Sequence, residues 1–251
     1  MQQIKPSQQL NVVIPVFNEE GNVAALIEEI NQALAHHSNF EIIVVDDGSQ
    51  DATLQELNRL AKTNSHLRIL RHRRNLGQSV AVFSGVSAAT KSWVVTLDGD
   101  GQNDPKDIMK LVEVAENNVF DKPLLIIGCR INRKDSGWKK FGSKFANYIR
   151  SRCLKDRCPD SGCGLKLFQR EAFLMLPHFN HLHRYLPALF QRASGKVINV
   201  SVSHRPRISG NSKYGNFSRL KVGIADMFGM AWLMRRPCIS ELENDTKSSN
   251  S

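Results

Sequence analysis

Two carboxylates separated by one glycine, in Asp98-Gly99-Asp100, are the feature of the sequence that most directly suggests chemistry. Carboxylates in this arrangement can hold a divalent cation of the magnesium or manganese type and leave coordination positions open for the oxygens of a diphosphate. Gln102 follows closely and offers an amide oxygen as a further ligand. An isolated Asp-x-Asp is weak support, because aspartate is also common as a cap in turns. The interpretation therefore depends on the segments around it.

A second acidic pair, Asp46-Asp47, ends a β-branched segment at 41–45, and the pair at 98–100 ends another apolar segment at 92–97. Further strand-like segments lie at 11–16, 67–71 and 124–129, and helical periodicity lies between them at 20–35, 52–63, 77–90 and 105–117. This alternation predicts a Rossmann-like α/β fold with a mostly parallel, doubly wound sheet. Ligands of such sheets bind beyond the carboxyl ends of the strands, so both acidic pairs should meet in one crevice.

The second half of the sequence is less regular. It contains a basic amphipathic helix-like segment at 136–154, a segment at 170–176, a strand-like segment at 197–204 and an apolar helix-like segment at 217–235. We therefore predict a main domain over 10–215, an interface helix over 216–236, and flexible ends at 1–9 and 237–251.

Three motifs accompany Asp98-Gly99-Asp100: Val13-Ile-Pro-Val-Phe-Asn-Glu-Glu20, Val44-Val-Asp-Asp-Gly-Ser-Gln-Asp-Ala-Thr53 and Arg73-Arg-Asn-Leu-Gly-Gln78. In order, spacing and strand context the set resembles the family 2 (GT-A) glycosyltransferases over roughly residues 10–215. The resemblance implies a GT-A catalytic domain that uses a nucleotide-sugar donor and a divalent metal, Mg²⁺ or Mn²⁺. No Gly-x-Gly-x-x-Gly turn follows the first strand, which argues against a dinucleotide-dependent oxidoreductase.

The resemblance also implies roles for individual residues of the first half. Pro15, Phe17 and Glu19 would line the nucleoside pocket, whereas Val44 and Asp46 would contact the base and the ribose. Carboxylates suit this task because they accept hydrogen bonds from hydroxyl or imino groups.

The same resemblance assigns the acidic motif. Asp98 would lie beside the ribose or the sugar and take part in catalysis, and Asp100 would bind the metal together with Gln102. The metal would neutralise the leaving nucleoside diphosphate. A single displacement, as expected for this family, would invert the anomeric carbon.

Three later motifs resemble the polyprenyl-phosphate branch of this family, which includes dolichol-phosphate mannosyltransferase and bacterial polyprenyl-phosphate glycosyltransferases. They are Ile127-Gly-Cys-Arg130, Asp160-Ser-Gly-Cys-Gly-Leu-Lys-Leu-Phe-Gln-Arg170 and His204-Arg-Pro-Arg-Ile-Ser-Gly-Asn-Ser-Lys-Tyr-Gly215. This branch implies transfer to undecaprenyl or dolichyl phosphate, as in the synthesis of cell-envelope glycans.

Residues of these later motifs are expected to handle phosphate. Arg130, Arg207 and Lys213 would clamp the diphosphate and the acceptor phosphate, and the loop at 207–213 would be a mobile lid. Asp160 would act as a base or orient the acceptor, and the alternative is that it caps a turn before Gly162. A lipid phosphate needs little help from a base, because its second pKa is about 6 and it is anionic near neutral pH.

The chain carries a formal net charge of +10. Much of the excess positive charge lies at 130–157, a segment that contains ten Lys or Arg and only two Asp. A basic protein favours anionic partners, including phosphates, acidic membrane surfaces and nucleic acids. Two alternatives to the lipid-phosphate acceptor stay open: transfer to a soluble glycan or another lipid, and nucleic-acid binding without catalysis. The second lacks any recognisable nucleic-acid-binding motif, so no nucleic-acid partner is expected.

The helix-like segments at 136–154 and 217–235 combine aromatic and basic residues, a composition typical of helices that lie on anionic membranes. The alternatives are packing against the catalytic domain and contact with a second copy in a homo-oligomer. No apolar run reaches the roughly 20 residues of a membrane-spanning helix. We therefore expect a peripheral membrane protein.

Five cysteines, an odd number, and a polar N-terminus favour a reducing compartment and free thiols. The expected location is the cytoplasmic side of the inner (plasma) membrane.

The stretch His181-Leu-His-Arg-Tyr185 has no clear counterpart among these motifs. His183 and Arg184 could face the acceptor phosphate, or the stretch could be an ordinary part of the surface or the core.

Overall fold

The computed structural model describes residues 4–37, 39–118, 121–130, 158–206 and 216–236, together with 152 and 154–156. Several sequence-based expectations fall outside this part of the chain. They concern Arg207, Lys213, the lid at 207–213, the tail at 237–251 and most of the helix expected at 136–154.

The described residues form one seven-stranded sheet in the order β3-β2-β1-β4-β6-β5-β7. Every neighbouring pair is parallel except the two pairs that involve β6, which runs antiparallel to both β4 and β5. The strands are β1 (Leu10–Val16), β2 (Phe40–Asp46), β3 (Leu67–Arg71), β4 (Trp93–Thr96), β5 (Leu124–Arg130), β6 (Lys166–Gln169) and β7 (Lys196–Val202).

Helices connect the strands and cover both faces of the sheet. They are α1 (Val23–Ala33), α2 (Thr53–Ala61), α3 (Gln78–Ala88), α4 (Asp107–Glu116), α5 (Arg170–Leu174), α6 (Leu186–Arg192) and α7 (Asn216–Met234), with a 3₁₀ turn at Leu182–Arg184. The mostly parallel α/β architecture expected from the sequence is confirmed.

The first five strands and four helices occur where the sequence pattern placed them, with boundaries that differ by at most a few residues. Strand β6 and helix α6 were not predicted. Strand β6 has only four residues and carries a lysine between apolar neighbours, so it lacks the length and the alternation that mark a strand.

The sheet divides the core into two layers, and the side chains of β1 alternate between them. Val12 and Ile14 point to the layer beneath α1 and α4, whereas Val13 points to the layer beneath α3, α5 and α6. Each large apolar side chain buried in this way contributes roughly 1.5–3 kcal/mol. A Cβ added at Gly85 of α3 would lie 2.4 Å from Val13 Cγ1, so this helix packs unusually close to the sheet.

One side of helix α7 packs against the core layer that contains Val13. Met230 is buried there, and Tyr185 Oη donates a hydrogen bond to the Gly223 carbonyl at 3.3 Å. Arg192 of α6 donates to the Leu233 and Arg236 carbonyls at 3.2 and 2.8 Å. Among the described residues, no helix combines the length and the apolar character needed to cross a bilayer.

Candidate active site

The loops that follow β1 and β2 are joined to each other by hydrogen bonds. Asn18, in a left-handed conformation at φ 53°, donates from its backbone to Ser49 Oγ at 2.9 Å, and its own Oδ1 accepts from Gln50 N at 2.8 Å. Glu19 N donates to Thr53 Oγ1 at 2.8 Å. This pairing builds a rigid wall at the carboxyl ends of the two strands, where a doubly wound sheet binds ligands.

Asp46, the last residue of β2, is fully buried in this wall. Its Oδ1 accepts a hydrogen bond from Ser49 N at 2.9 Å, whereas its Oδ2 has no hydrogen-bond partner among the described residues. The nearest cation is Arg71, whose Nε lies 3.6 Å from Oδ2. A buried carboxylate oxygen without a donor is costly, so an N–H or O–H group that reached this oxygen would stabilise it.

Asp47, the next residue, shapes the turn that begins α3. Its carboxylate accepts hydrogen bonds from the backbone of Leu76 at 2.9 Å and Gly77 at 2.7 Å, and it lies 2.7 Å from His72 Nδ1. Asp47 therefore has a structural role, because its hydrogen bonds fix the position at which α3 starts.

Asp98 lies on the opposite side of that turn. Gln78, the first residue of α3, donates from Nε2 to Asp98 Oδ1 at 2.8 Å. Because Gly77 bonds Asp47 and Gln78 bonds Asp98, one turn connects both acidic pairs at the same rim of the sheet. The carboxyl group is also packed tightly, since a Cβ on Gly164 would come within 2.3 Å of its Cγ.

The surroundings of Asp98 disfavour its charged form. Burial, and then the nearby Asp100 carboxylate, raise the pKa of Asp98 from 3.8 to about 6. Two cations oppose the shift: Lys166, buried in β6, and Arg130. Burial in turn lowers the pKa of the Lys166 ammonium, which also donates to the Cys163 carbonyl.

Asp100 is half-buried in the loop after β4 and accepts a hydrogen bond from Gln102 N at 3.2 Å. The Gln102 carbonyl accepts from Arg205 N at 3.0 Å. The Arg205 guanidinium bridges Asp104 at 2.7 Å and Glu29 at 2.6 Å. The segment that leads to residue 207 is thus anchored directly beside the acidic motif.

Arg130 and Asp160, two further expected catalytic residues, form a buried bidentate ion pair. Arg130 Nε and Nη2 lie 2.6 and 2.7 Å from the two carboxylate oxygens of Asp160. Both Asp160 oxygens are occupied by this contact, which favours a role in orienting the guanidinium over a role as a base.

The expected nucleoside-binding residues divide into two groups. Pro15, Phe17 and Glu19 are half-buried at the end of β1 and in the following loop, where a ligand can reach them. Val44 is only 1% exposed and packs in the core, so its side chain supports the wall from beneath.

The stretch His181–Tyr185 is connected to the same site by a contact with α3. His183 Nδ1 lies 2.7 Å from the hydroxyl of Ser79, which follows Gln78 on α3. Burial, and then the charges of Lys166 and Arg184, lower the pKa of His183 well below its ordinary value. His181 lies 2.9 Å from Asp226 of α7.

Sequence reasoning missed the contributions of Gln78, Ser79 and Lys166. For Lys166 a signal was present, because a lysine flanked by Leu165 and Leu167 needs an anionic or polar partner when its segment is buried. Gln78 and Ser79 gave no comparable signal, since their partners lie 20 and 104 positions away.

The described residues contain no cluster of three or more His, Cys, Asp or Glu side chains arranged around a metal position. The cysteines that the structure describes, Cys129, Cys158 and Cys163, are free thiols, as expected.

Comparison with known proteins identifies the family of the chain. The model of glycosyl transferase family 2 matches residues 11–175. The chain is 36% identical over 234 residues to dodecaprenyl-phosphate galacturonate synthase of Rhizobium johnstonii, covering 91% of this chain and 68% of that protein. It is 33% identical over 213 residues to undecaprenyl-phosphate 4-deoxy-4-formamido-L-arabinose transferase of Yersinia pestis, covering 84% and 64%. The chain thus spans about two thirds of the length of these relatives.

Among solved structures, glucosyl-3-phosphoglycerate synthase of Mycobacterium tuberculosis, in complex with Mn²⁺, UDP and glucosyl-3-phosphoglycerate, shares the fold. The TM-score is 0.65 at 16% sequence identity, over 90% of this chain and 80% of that one. The mostly parallel sheet is therefore the GT-A fold expected from the motifs, and the chain belongs to glycosyl transferase family 2 and is a glycosyltransferase.

Proposed function

We propose that this enzyme transfers a sugar from a nucleotide-sugar to a polyprenyl phosphate and inverts the anomeric carbon. The observation that carries the proposal is the placement of Asp98 among charges of both signs. The Asp100 carboxylate and the cations Lys166 and Arg130 all lie near enough to Asp98 to act on its carboxyl group electrostatically. Such a site can hold a metal-bound diphosphate next to an anionic acceptor. The names of the two relatives supply the acceptor class.

The nucleoside would bind in the wall formed by the loops after β1 and β2. The buried Asp46 Oδ2, which lacks a hydrogen-bond donor among the described residues, would accept an N–H or O–H group of the nucleoside. Pro15, Phe17 and Glu19 are exposed enough at the rim to contact the rest of it.

A divalent cation fits the acidic motif. Burial raises the pKa of Asp98, the neighbouring Asp100 carboxylate raises it further, and a cation would relieve the repulsion between the two carboxylates. Asp100 would hold the ion with Gln102, and the remaining positions would be left for diphosphate oxygens. When bound, the cation would act as a Lewis acid that stabilises the leaving diphosphate.

The protein's own cations would bring the two anionic substrates together. Arg130 is held in place by Asp160, so its remaining N–H groups are oriented in advance and can donate to phosphate oxygens. Because the acceptor phosphate is already ionised near neutral pH, no general base is needed for its attack. Arg207 and Lys213 are proposed to complete the clamp, since the segment that leads to them is anchored at Gln102.

We propose that α7 brings the enzyme to the membrane that contains the acceptor. Ile224, Phe228 and Trp232 recur at four-residue spacing on one side of this helix and are 44, 69 and 61% exposed. Arg235 and Arg236 follow directly, as suits an anionic lipid surface. A cytosolic location is supported by the free thiols of the described cysteines.

A direct assay tests the proposal. Purified protein is incubated with short-chain polyprenyl phosphate and a panel of UDP-, GDP- and dTDP-sugars, with Mg²⁺, Mn²⁺ or EDTA, and glycolipid is detected by mass spectrometry. We expect a product that requires metal and that is lost in Asp100→Ala. Asp121→Ala, an exposed aspartate before β5, is the matched control and should retain activity.

Two results would overturn parts of the proposal. If the product forms equally well in EDTA, the proposed requirement for a metal is wrong. No product with any lipid phosphate, despite donor binding, would redirect the acceptor to a soluble glycan or another lipid.

A further inference from the structure

The turn at Leu182–Arg184 is held in a constrained position between the donor site and α7. It is preceded by His181, which adopts a left-handed conformation at φ 67°, unusual for a residue other than glycine. His181 Nδ1 lies 2.9 Å from Asp226 on α7, and His183 Nδ1 lies 2.7 Å from Ser79 on α3. Strained turns that are fixed at both ends are frequent at functional sites.

The hydrogen bonds of Ser79 favour the tautomer of His183 that carries its proton on Nε2. The Ser79 hydroxyl accepts the backbone N–H of His183 at 3.4 Å and lies 2.7 Å from Nδ1, so it can donate its own proton to that nitrogen. The ring proton of the neutral imidazole then resides on Nε2. No hydrogen-bond partner of Nε2 is found in the part of the chain that the structure describes, so this N–H is available to a ligand.

Arg184, the next residue, has a half-buried side chain. Among the described residues its guanidinium makes neither a hydrogen bond nor an ion pair, although it lies close enough to His183 to affect the imidazole electrostatically. By contrast, Arg130, Arg170, Arg192 and Arg205 are each bonded to carboxylates or carbonyls. A partly buried cation without a partner is a natural position for an anion.

The turn belongs to the same site as Asp98. Gln78 bonds Asp98, and the adjacent Ser79 bonds His183. Lys166 acts electrostatically on both Asp98 and His183, which places its ammonium near both groups. An anion held at His183 and Arg184 would therefore lie close to the sugar attached to the donor.

We propose that His183 and Arg184 bind the phosphate of the acceptor: the Nε2–H of His183 donates to one phosphate oxygen and the Arg184 guanidinium to others. The inference rests on the proposed function, because it assumes a phosphate acceptor. The location of the turn indicates that its ligand is the acceptor phosphate and not the donor diphosphate. The turn is bonded to α7, the helix that carries the exposed apolar stripe Ile224, Phe228 and Trp232. A lipid phosphate arriving along α7 would meet this turn first.

Steady-state kinetics with separately varied substrates test the inference. Arg184→Ala should raise the KM for polyprenyl phosphate by about 10- to 100-fold, the range expected for losing charge-assisted hydrogen bonds. The dissociation constant of the nucleotide-sugar should stay within about twofold. Arg184→Lys should restore part of the acceptor affinity, because it keeps the charge but loses the planar fork.

Variants of His183 separate hydrogen bonding from packing. His183→Gln retains an N–H donor near the Nε2 position and should keep the acceptor KM close to that of the wild type, whereas His183→Phe should raise it. Arg59→Ala on the exposed face of α2 is the matched control, and thermal unfolding verifies that every variant is folded.

The outcomes distinguish this inference from the proposed function. If the wild type makes no glycolipid, the proposed function fails. If the wild type is active but Arg184→Ala and His183→Phe leave the acceptor KM unchanged, or weaken donor binding instead, the inference alone is overturned.

Discussion

The ionised carboxylate of Asp98 is destabilised in the folded protein. Its pKa in the folded state, about 6, lies above the ordinary value of 3.8, so the folded state binds this proton more tightly than the unfolded state does. The resulting stabilisation is fully present below about pH 4 and is lost as the pH rises through about 6. At about 1.4 kcal/mol per pKa unit, the loss is at most about 3 kcal/mol.

Asp98→Asn tests this dependence, because the amide is neutral at every pH. Relative to this variant, the wild type should lose up to about 3 kcal/mol of unfolding free energy between pH 4 and pH 7.5. Denaturant unfolding in EDTA measures the difference, and Asp121→Asn serves as an exposed control. Equal differences at the two pH values would show that Asp98 is not destabilised in the fold.

The buried pair of Arg130 and Asp160 leads to a second prediction. Their side chains are only 13 and 9% exposed, so removal of either partner leaves a buried charge uncompensated. Arg130→Met and Asp160→Asn should each destabilise the protein by about 3 kcal/mol, and the double variant by much less than the sum. Urea unfolding of all four proteins measures the coupling. Additive effects would mean that the pair does not act as a unit.

At the residue scale, sequence reasoning succeeded where chemistry is encoded locally. Asp98 and Asp100 stand beside each other in the chain, and their pattern is recognisable without a structure. The link from Ser79 to His183 spans 104 positions and depends on how α3 meets a turn from the second half of the chain. No local spacing contains that information.

At the element scale, the turn from β3 into α3 depends on Gly48. Its φ is +75°, and an added Cβ would lie 2.6 Å from the backbone carbon of Arg74. The two loops touch backbone to backbone, which fixes the position of Gln78 relative to Asp98.

Gly48→Ala should therefore destabilise the fold by more than about 1 kcal/mol and reduce donor affinity. Gly229, within α7, is the matched control, because no atom of the residues that the structure describes lies within 4 Å of its added Cβ. Gly229→Ala should be neutral or should stabilise by up to about 1 kcal/mol through helix propensity. Thermal unfolding and nucleotide titration measure both variants. If the two substitutions have equal effects, the backbone contact at Gly48 is unimportant.

The elements of the first half could be predicted because runs of mostly apolar, often β-branched residues alternate regularly with longer helix-like segments. Strand β6 could not be predicted, because its four residues form a strand only between β4 and β5. Tertiary pairing, rather than propensity, determines its conformation.

At the scale of the whole molecule, the exposed stripe on α7 predicts membrane binding. Flotation with vesicles containing anionic phosphatidylglycerol should carry the wild type upward, and vesicles of neutral lipid should carry less of it. The double variant Phe228→Ser/Trp232→Ser should bind at least about 10-fold more weakly, because each aromatic side chain contributes roughly 1.5–3 kcal/mol when buried.

Met175→Ser is the control for this experiment, since Met175 is an exposed apolar residue at the end of α5, outside α7. If the double variant floats as well as the wild type, α7 is not the membrane contact. If light scattering instead shows a dimer that the double variant abolishes, the stripe is covered by a second copy of the chain.

The position of β6 also has a consequence during synthesis. β5 is complete at Arg130, yet both of its sheet neighbours, β6 and β7, lie later in the chain. At roughly 5–20 residues per second, a ribosome needs a few seconds to reach Gln169. During that interval β4 has one open edge and β5 has two, and unpaired edges of apolar strands promote aggregation. Strand β6, which lies between β4 and β5, therefore determines how long the open edge of β4 in the nascent chain needs protection.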